Sequence, residues 1–110
     1  MNMMTIDGHK AIVHFDPDQG LLRGEFVGLN GGADFYADSV ARMRVEGAKS
    51  LRLFLKTCRE EGIEPYKAYS GKFQVRVPES LHARAVETAA AEGVSLNQLI
   101  QRAIEHEINV

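Results

Sequence analysis

One short segment constrains the fold of this chain more than any other, because it is a strand-like run with no second strand near it. Apolar and polar residues alternate over residues 72–77, in the order Lys72, Phe73, Gln74, Val75, Arg76 and Val77. This period of two predicts a β-strand with two different faces. Pro78 follows, and no further strand pattern precedes the C-terminus. A single strand cannot satisfy its own backbone N–H and C=O groups, so the segment requires a pairing partner.

Two short amphipathic helices are predicted after Pro78. The first ends near Gly93, and Ser95 is a suitable N-cap for the second. Apolar residues of the second helix recur at the i, i+3, i+4, i+7 spacing, at Leu96, Leu99, Ile100, Ala103, Ile104 and Ile108. Residues 72–110 are therefore predicted to form a β-α-α unit that is too small to bury its own apolar surface.

The simplest partner for the lone strand is the same strand of a second copy. Two antiparallel strands about a two-fold axis would let four helices share one core. The predicted dimer core consists of Phe73, Val75, Val77, Leu96, Leu99, Ile100 and Ile104. We therefore expect a homodimer, and the sequence leaves open whether dimers associate into tetramers.

The polar face of such a two-stranded ribbon has the dimensions and the chemistry to enter the DNA major groove. Lys72 and Arg76 can bond to guanine, and Gln74 can bond to adenine. The alternative for these three residues is an ordinary solvated sheet face. At the start of the second helix, free backbone amides and the helix dipole favour an anion such as a DNA phosphate. The residues placed there are Ser95, Leu96 and Asn97.

Residues 1–63 are predicted to form a separate β-β-β-α domain, and residues 64–71, "EPYKAYSG", a linker. Alternating apolar residues on both sides of the turn at residues 16–20 predict a β-hairpin. The segment "ADFYA" suggests a short third strand. A long helix should begin after Asp38 and Ser39 and end at Gly62, because its apolar residues keep helical spacing between these signals. The predicted apolar stripe of this helix consists of Val40, Met43, Gly47, Ala48, Leu51, Phe54, Leu55 and Cys58. The predicted class is therefore α+β.

Composition narrows the function classes. The chain has 110 residues, a formal net charge of −2 and one cysteine. Without an overall basic charge, nucleic-acid binding requires a local patch. A single cysteine and no signal-peptide pattern lead us to expect a cytoplasmic protein. The basic residues of the long helix are interspersed with glutamates and are interpreted as a solvated face.

Enzymatic activity, a metal site and a cofactor are not expected. Asp16 and Asp18 lie in a turn, where aspartate has a backbone role. The other carboxylates lie on separate elements, and metal-dependent nucleases need several acidic groups around one cation pair. The four histidines are scattered, and none has a second metal ligand at helical spacing. Cys58 lies on the apolar stripe of its helix and is interpreted as a core residue.

Two resemblances to known families sharpen these expectations. The segments "KFQVRVP" and "EGVSLNQLIQRAIEHE" resemble the ribbon-helix-helix repressors of the Arc and MetJ type. The resemblance implies that Lys72, Gln74 and Arg76 contact bases and that the "GVSLN" turn contacts a phosphate. The whole chain resembles the HicB antitoxins of bacterial toxin–antitoxin pairs, in the subgroup that ends with such a domain.

The segment "AIVHFDPDQGLLRGEFVGLNGGADFYADSV" looks like the N-terminal domain of HicB proteins, a partial RNase H-like fold. This resemblance implies binding of a HicA-type mRNA-cleaving toxin and repression of the protein's own operon. The stretch "GLNGGADF" departs from the family pattern, so toxin contacts cannot be transferred residue by residue. A charge hypothesis places them at Asp16, Asp18 and Asp34, facing a basic toxin. The alternatives are a stand-alone regulator that senses a small ligand and a degenerate RNase H-like enzyme.

Overall fold

A computed structural model describes residues 2–109, which divide into two compact units between Ser70 and Gly71. The elements of the first unit are β1 (Asn2–Ile6), β2 (His9–Asp16), β3 (Leu21–Phe26), β4 (Asp34–Ala37) and α1 (Val40–Glu61). Those of the second are α2 (Glu79–Glu92) and α3 (Leu96–Ile108). The predicted α+β class is confirmed.

The sheet of the first unit is an antiparallel meander in the order β1-β2-β3-β4. It has four strands where the sequence predicted three, and β1 is the one that was missed. The segment "NMMTI" alternates poorly between apolar and polar residues. The signal for the additional hairpin was the Asp7-Gly8 pair, whose φ angles are both positive, at 49° and 77°. Such a pair forms the tight turn that matches the twist of two flanking strands.

The predicted turn between β2 and β3 is confirmed, and Asp16 has the backbone role expected of it. Its Oδ1 accepts hydrogen bonds from the amides of Asp18 at 2.9 Å and Gln19 at 3.4 Å. The amide of Gly20 donates to the carbonyl of Asp16 at 2.9 Å. Gly20 has a φ of 66°, which glycine adopts without steric cost. The turn therefore sets the register in which Asp16 lies opposite Leu21.

Helix α1 begins and ends at the predicted residues. The Ser39 hydroxyl accepts a hydrogen bond from the amide of Arg42, and Gly62 ends the helix in the left-handed conformation. The helix buries Met43, Gly47, Leu51 and Cys58, all of them on the predicted apolar stripe. Val40 also belonged to that stripe but is 59% exposed, because it lies at the first residue of the helix.

The core lies between α1 and one face of the sheet. It contains Ile6, Ala11, Phe26, Leu29, Ala33, Phe35, Ala37, Met43 and Leu51. The strand residues among these alternate with exposed or half-buried neighbours, so the opposite sheet face carries the polar side chains. Phe26 and Phe35 pack with ring centroids 5.2 Å apart. One helix against one sheet face thus gives the first unit a core of its own.

Part of the predicted linker lies against the first unit. The amide of Asn30 donates to the carbonyl of Pro65, and the amide of Lys67 donates to the carbonyl of Gly28, each at 2.9 Å. The side chain of Tyr66 stacks on His9, with a distance of 2.9 Å between the tyrosine hydroxyl and His9 Nε2. Residues 64–67 are therefore held by backbone and side-chain bonds that local sequence patterns do not reveal.

Gly24 is required by the close packing of β3 against β4. A Cβ atom at this position would overlap the ring of Phe35, which is buried on the neighbouring strand. We expect Gly24→Ala to lower the free energy of unfolding by about 1–3 kcal/mol, the usual cost of overpacking a core. The measurement is chemical denaturation monitored by circular dichroism.

The matched control is Gly32→Ala, because a Cβ atom there would have no neighbour within 4 Å. We expect this variant to unfold within about 0.5 kcal/mol of the unsubstituted protein. Equal stability of the two variants would show that Phe35 moves aside without cost.

Candidate nucleic-acid interface

The predicted strand over residues 72–77 has no strand partner in the described part of the chain. Residues 72–78 form no regular secondary structure and follow Gly71, whose φ is 83°. A strand is defined by its ladder of hydrogen bonds, and a single copy of the chain provides no second strand beside this segment. The segment is therefore not a strand in one copy for the same reason that the sequence predicted a partner: no second strand lies beside it.

The three predicted base-contacting side chains are all exposed. Lys72, Gln74 and Arg76 occupy alternate positions of the segment, and no acidic residue separates them. Their apolar neighbours are exposed as well, with Phe73 at 70% and Val75 at 66%. In a single copy, the segment therefore presents both its polar and its apolar side chains to solvent.

The second unit has almost no core of its own. Among its described residues, Ala89 alone is buried, with 3% of its surface exposed. Of the predicted dimer core, Leu96 and Leu99 are half-buried and the other five residues are exposed. Large apolar residues outside that set are also exposed, namely Leu81, Val86 and Ile108. Two helices that expose this much apolar surface have the composition of half a core.

The two helices are joined by a well-defined turn. Gly93 ends α2 with a φ of 71°, and the amide of Val94 donates to the carbonyl of Ala89 at 3.0 Å. An ion pair of 2.6 Å joins Arg102 on α3 to Glu92 at the end of α2. The helix pair is thus held by its turn, by a small apolar contact around Ala89 and by one surface ion pair, and the ion pair adds little to the free energy of unfolding.

A complete capping box holds the start of α3. The hydroxyl of Ser95 accepts from the amide of Gln98 at 3.0 Å, and the Gln98 side chain accepts from the amide of Ser95 at 2.8 Å. The amides of Leu96 and Asn97 donate to no acceptor among residues 2–109. The capping role of Ser95 is therefore present, and two first-turn amides remain as donors for an anion.

The three aspartates of the charge hypothesis do not form one cluster. Asp16 and Asp18 lie together in the β2–β3 turn, where Asp16 is bonded to backbone amides. Asp34 lies opposite Glu25, whereas Asp16 lies opposite Leu21. Leu21 and Glu25 are four residues apart, which is about 13 Å along β3. Asp34 and the turn are therefore distinct parts of the sheet unit.

Arg23 was not singled out from the sequence, yet it organises the acidic residues on the outer sheet face. It pairs with Glu25 on its own strand, and its Nη2 lies 2.5 Å from Oδ2 of Asp34 on β4. The hydrogen bond to Asp34 raises the pKa of Arg23 above its ordinary value, and the negative charges of Asp34 and Glu25 add to this effect, whereas desolvation opposes it. The cross-strand register brings these groups together, and that register is not visible in local sequence patterns.

Within residues 2–109, no group of three or more histidine, cysteine, aspartate or glutamate side chains could hold a metal ion. Cys58 is buried on α1 as a free thiol. The expectation that the chain is not an enzyme stays a prediction.

None of the helices described for residues 2–109 is both long enough and apolar enough to cross a membrane.

Comparison with known protein families identifies one family. The model of the HicB family matches residues 54–104, slightly under half of the 110-residue chain. The match runs from the last two turns of α1 through the lone strand segment and α2 into α3. Comparisons with curated proteins and with solved structures found no match. Over the residues that carry the candidate interface, the chain is therefore similar to the HicB family.

Proposed function

We propose that this chain is an antitoxin that neutralises a HicA-type mRNA-cleaving toxin and represses its own operon. The similarity of residues 54–104 to the HicB family is the observation that carries this proposal. The sheet unit, with a partial RNase H-like fold, binds the toxin. The second unit, a ribbon-helix-helix domain, forms a homodimer and binds operator DNA. The protein acts in the cytoplasm by binding alone, without a cofactor.

The exposed apolar side chains of the second unit support the homodimer. Phe73, Val75 and Val77 lie on the segment that lacks a strand partner, and Ile100 and Ile104 lie exposed on α3. In the dimer, the two segments pair antiparallel, and their apolar sides cover the four helices of the two copies. This pairing satisfies the backbone groups on the facing edges of both segments at the same time as it buries the apolar surface.

Strand pairing is tested by Val75→Pro. Proline disrupts a ladder but should leave one isolated copy unaffected, because residues 72–77 form no ladder in the monomer. We expect a monomer in sedimentation equilibrium and no operator binding in a mobility-shift assay. Val75→Ile keeps both the amide and the β-branched side chain, so this control should remain a DNA-binding dimer.

Gln74→Pro is a useful companion, since successive residues of a strand point their amides to opposite sides. If both proline variants remain dimers, the copies do not associate through this segment.

The paired segments place six long polar side chains on one ribbon, three from each copy. Lys72, Gln74 and Arg76 are hydrogen-bond donors of the types that bond to guanine and adenine in the major groove. The free amides of Leu96 and Asn97 lie at the positive end of α3 and can bind a phosphate on each side. Base contacts provide specificity and phosphate contacts provide orientation.

Arg76→Ala should weaken operator binding by about 1–3 kcal/mol and relax the base preference at one position in each half-site. Ser95→Ala should instead weaken binding to all sequences alike, because it disturbs the phosphate-binding turn. The measurement is binding to the operator and to a set of singly substituted operators at fixed salt concentration.

Arg84→Ala is the matched control, since Arg84 is exposed on α2 and outside the proposed interface. An Arg76→Ala variant with unchanged affinity and unchanged base preference would exclude the ribbon as the base-contacting element.

Toxin inhibition is proposed to be steric, with the sheet unit covering the RNA-binding face of the toxin. A protein that binds RNA is expected to carry basic residues, and the sheet unit carries Asp16, Asp18 and Asp34 outside its core. Asp18 is the most available of these three carboxylates, because Asp34 is already paired with Arg23 and Asp16 accepts hydrogen bonds from backbone amides. Complementary charge would mainly accelerate association.

The charge hypothesis predicts that Asp16→Asn, Asp18→Asn and Asp34→Asn together slow association with the toxin by about 10-fold or more at low salt. The partner for this test is a purified HicA-type toxin, and the measurement is the association rate at several salt concentrations. The control replaces three other exposed acids of the first unit, Glu60, Glu61 and Glu64, with glutamine. Association that is insensitive to salt and to the triple substitution would contradict the hypothesis.

A further inference from the structure

Four basic residues form a continuous stripe along the solvent side of α1. Lys49, Arg52, Lys56 and Arg59 follow one another at spacings of three, four and three residues, so they share one side of the helix. The buried residues of α1 face the sheet, and all four basic residues are exposed. With a rise of 1.5 Å per residue, the stripe is about 15 Å long. We call these four residues the basic stripe.

The glutamates that interrupt this charge in the sequence lie beside the stripe in the structure. Glu46 is half-buried and lies 3.5 Å from Lys49, but it also lies 3.1 Å from Arg42. Glu60 lies 3.9 Å from Lys56 near the end of the helix. Arg52 and Arg59 form no ion pair in the described part of the chain. Two full positive charges therefore remain without a partner on a side chain of the protein.

Structural roles explain only part of the stripe. Arg59 lies in the last turn of α1, where a cation is stabilised by the helix dipole. That effect is confined to the helix ends, so it does not account for Lys49 and Arg52 in the middle of the helix. Neither residue contributes to the core, and the chain as a whole is acidic, with a net charge of −2. A local run of positive charge on such a protein has the character of a binding surface.

We propose that the basic stripe binds the phosphate backbone of double-stranded DNA outside the bases contacted by residues 72–77. One DNA strand rises 3.4 Å per phosphate, so a stripe of about 15 Å matches the axial length of roughly four phosphates. Lysine and arginine on a helix face provide contacts to phosphate without recognising sequence. The first unit thereby adds sequence-independent affinity to the DNA binding of the second.

The choice of DNA as the ligand rests on the proposed function, because a DNA-bound second unit holds the first unit near the same duplex. Two modules on one chain raise each other's effective concentration at a shared target, so even weak phosphate contacts add to the affinity. A basic toxin would repel the stripe, which makes that protein a poor occupant of this face.

The experiment uses the full chain and two operator duplexes. One spans only the half-sites, and the other is extended by about ten base pairs on each side. The test variant R52Q/R59Q removes the two unpaired charges and leaves the ion pairs of Lys49 and Lys56 intact. The control variant K10Q/K67Q removes the same charge from exposed positions of the first unit outside α1. Binding is measured over a range of salt concentrations.

On the extended duplex, R52Q/R59Q should reduce the slope of log K against log salt by about 1.8 per protomer, which corresponds to two lost phosphate contacts. On the short duplex its slope should equal that of the unsubstituted protein, and K10Q/K67Q should change neither. The charge-retaining R52K/R59K should restore the slope on the extended duplex. The ratio of operator to scrambled-sequence affinity should be the same in all four proteins.

A slope for R52Q/R59Q equal to that of the control on the extended duplex would overturn the proposal. Two other results for R52Q/R59Q would also overturn it. One is loss of binding to single-stranded RNA with unchanged DNA binding, and the other is weaker toxin binding with unchanged DNA binding. Failure of the proposed function gives a different result, because the unsubstituted protein would then show no preference for the operator. The slopes on scrambled duplexes would still decide whether the stripe binds DNA.

Discussion

Residues 73–77 form no strand ladder within the described part of one copy of this chain. The alternating segment is flanked by Gly71 and Pro78, and the chain after Pro78 is helical to Ile108 apart from the turn between α2 and α3. The second unit also exposes the apolar residues that its helices would need as a core. The proposed homodimer answers both the missing strand partner and the uncovered apolar surface with a second copy of the same unit. The proposed DNA-binding surface depends on that pairing, because it exists only when two segments lie side by side.

The first unit follows the opposite principle, since it completes its core alone. The four-stranded meander buries one face against α1, and tight turns such as Asp7-Gly8 and residues 16–20 keep neighbouring strands adjacent. Its outer sheet face and its outer helix face remain open, and they differ in charge: the sheet face mixes acidic residues with Lys10 and Arg23, whereas basic residues predominate on the helix face. Aspartates occupy the turn and the outer face of the sheet, whereas the basic stripe occupies the helix. A domain with two such faces can hold partners of different charge without competition between them.

Local sequence patterns predicted the helix boundaries, because the residues that begin and end a helix lie next to it in the sequence. Ser39 and Gly62 bound α1, Ser95 caps α3, and Gly93 ends α2, because capping and termination depend on a few neighbouring residues. The α+β class followed from the order of these elements. Strand β1 was missed because its residues lack regular alternation, although the Asp7-Gly8 pair carried the signal for its hairpin.

Features that depend on distant contacts could not be predicted in this way. The Arg23–Asp34 pair requires the β3–β4 register, and the position of residues 64–67 requires backbone bonds to residues 28–30. The basic stripe is an intermediate case. Its residues were visible, but the glutamates among them suggested a mixed face until the buried side of α1 was known. The site residues of the second unit stay predictions, because the proposed site would form only when two copies pair.

The near absence of a core in the second unit has a consequence for regulation. If a second copy supplies that core, ordering of the unit is a bimolecular event, and at low abundance the amount of dimer rises with the square of protein concentration. Repression by such a dimer would depend steeply on the concentration of the protein itself. Newly made chains would leave the operon open while they are scarce and close it steeply once they accumulate. The sheet unit has its own core and needs no such threshold, so a single chain could engage its protein partner before the dimer controls transcription.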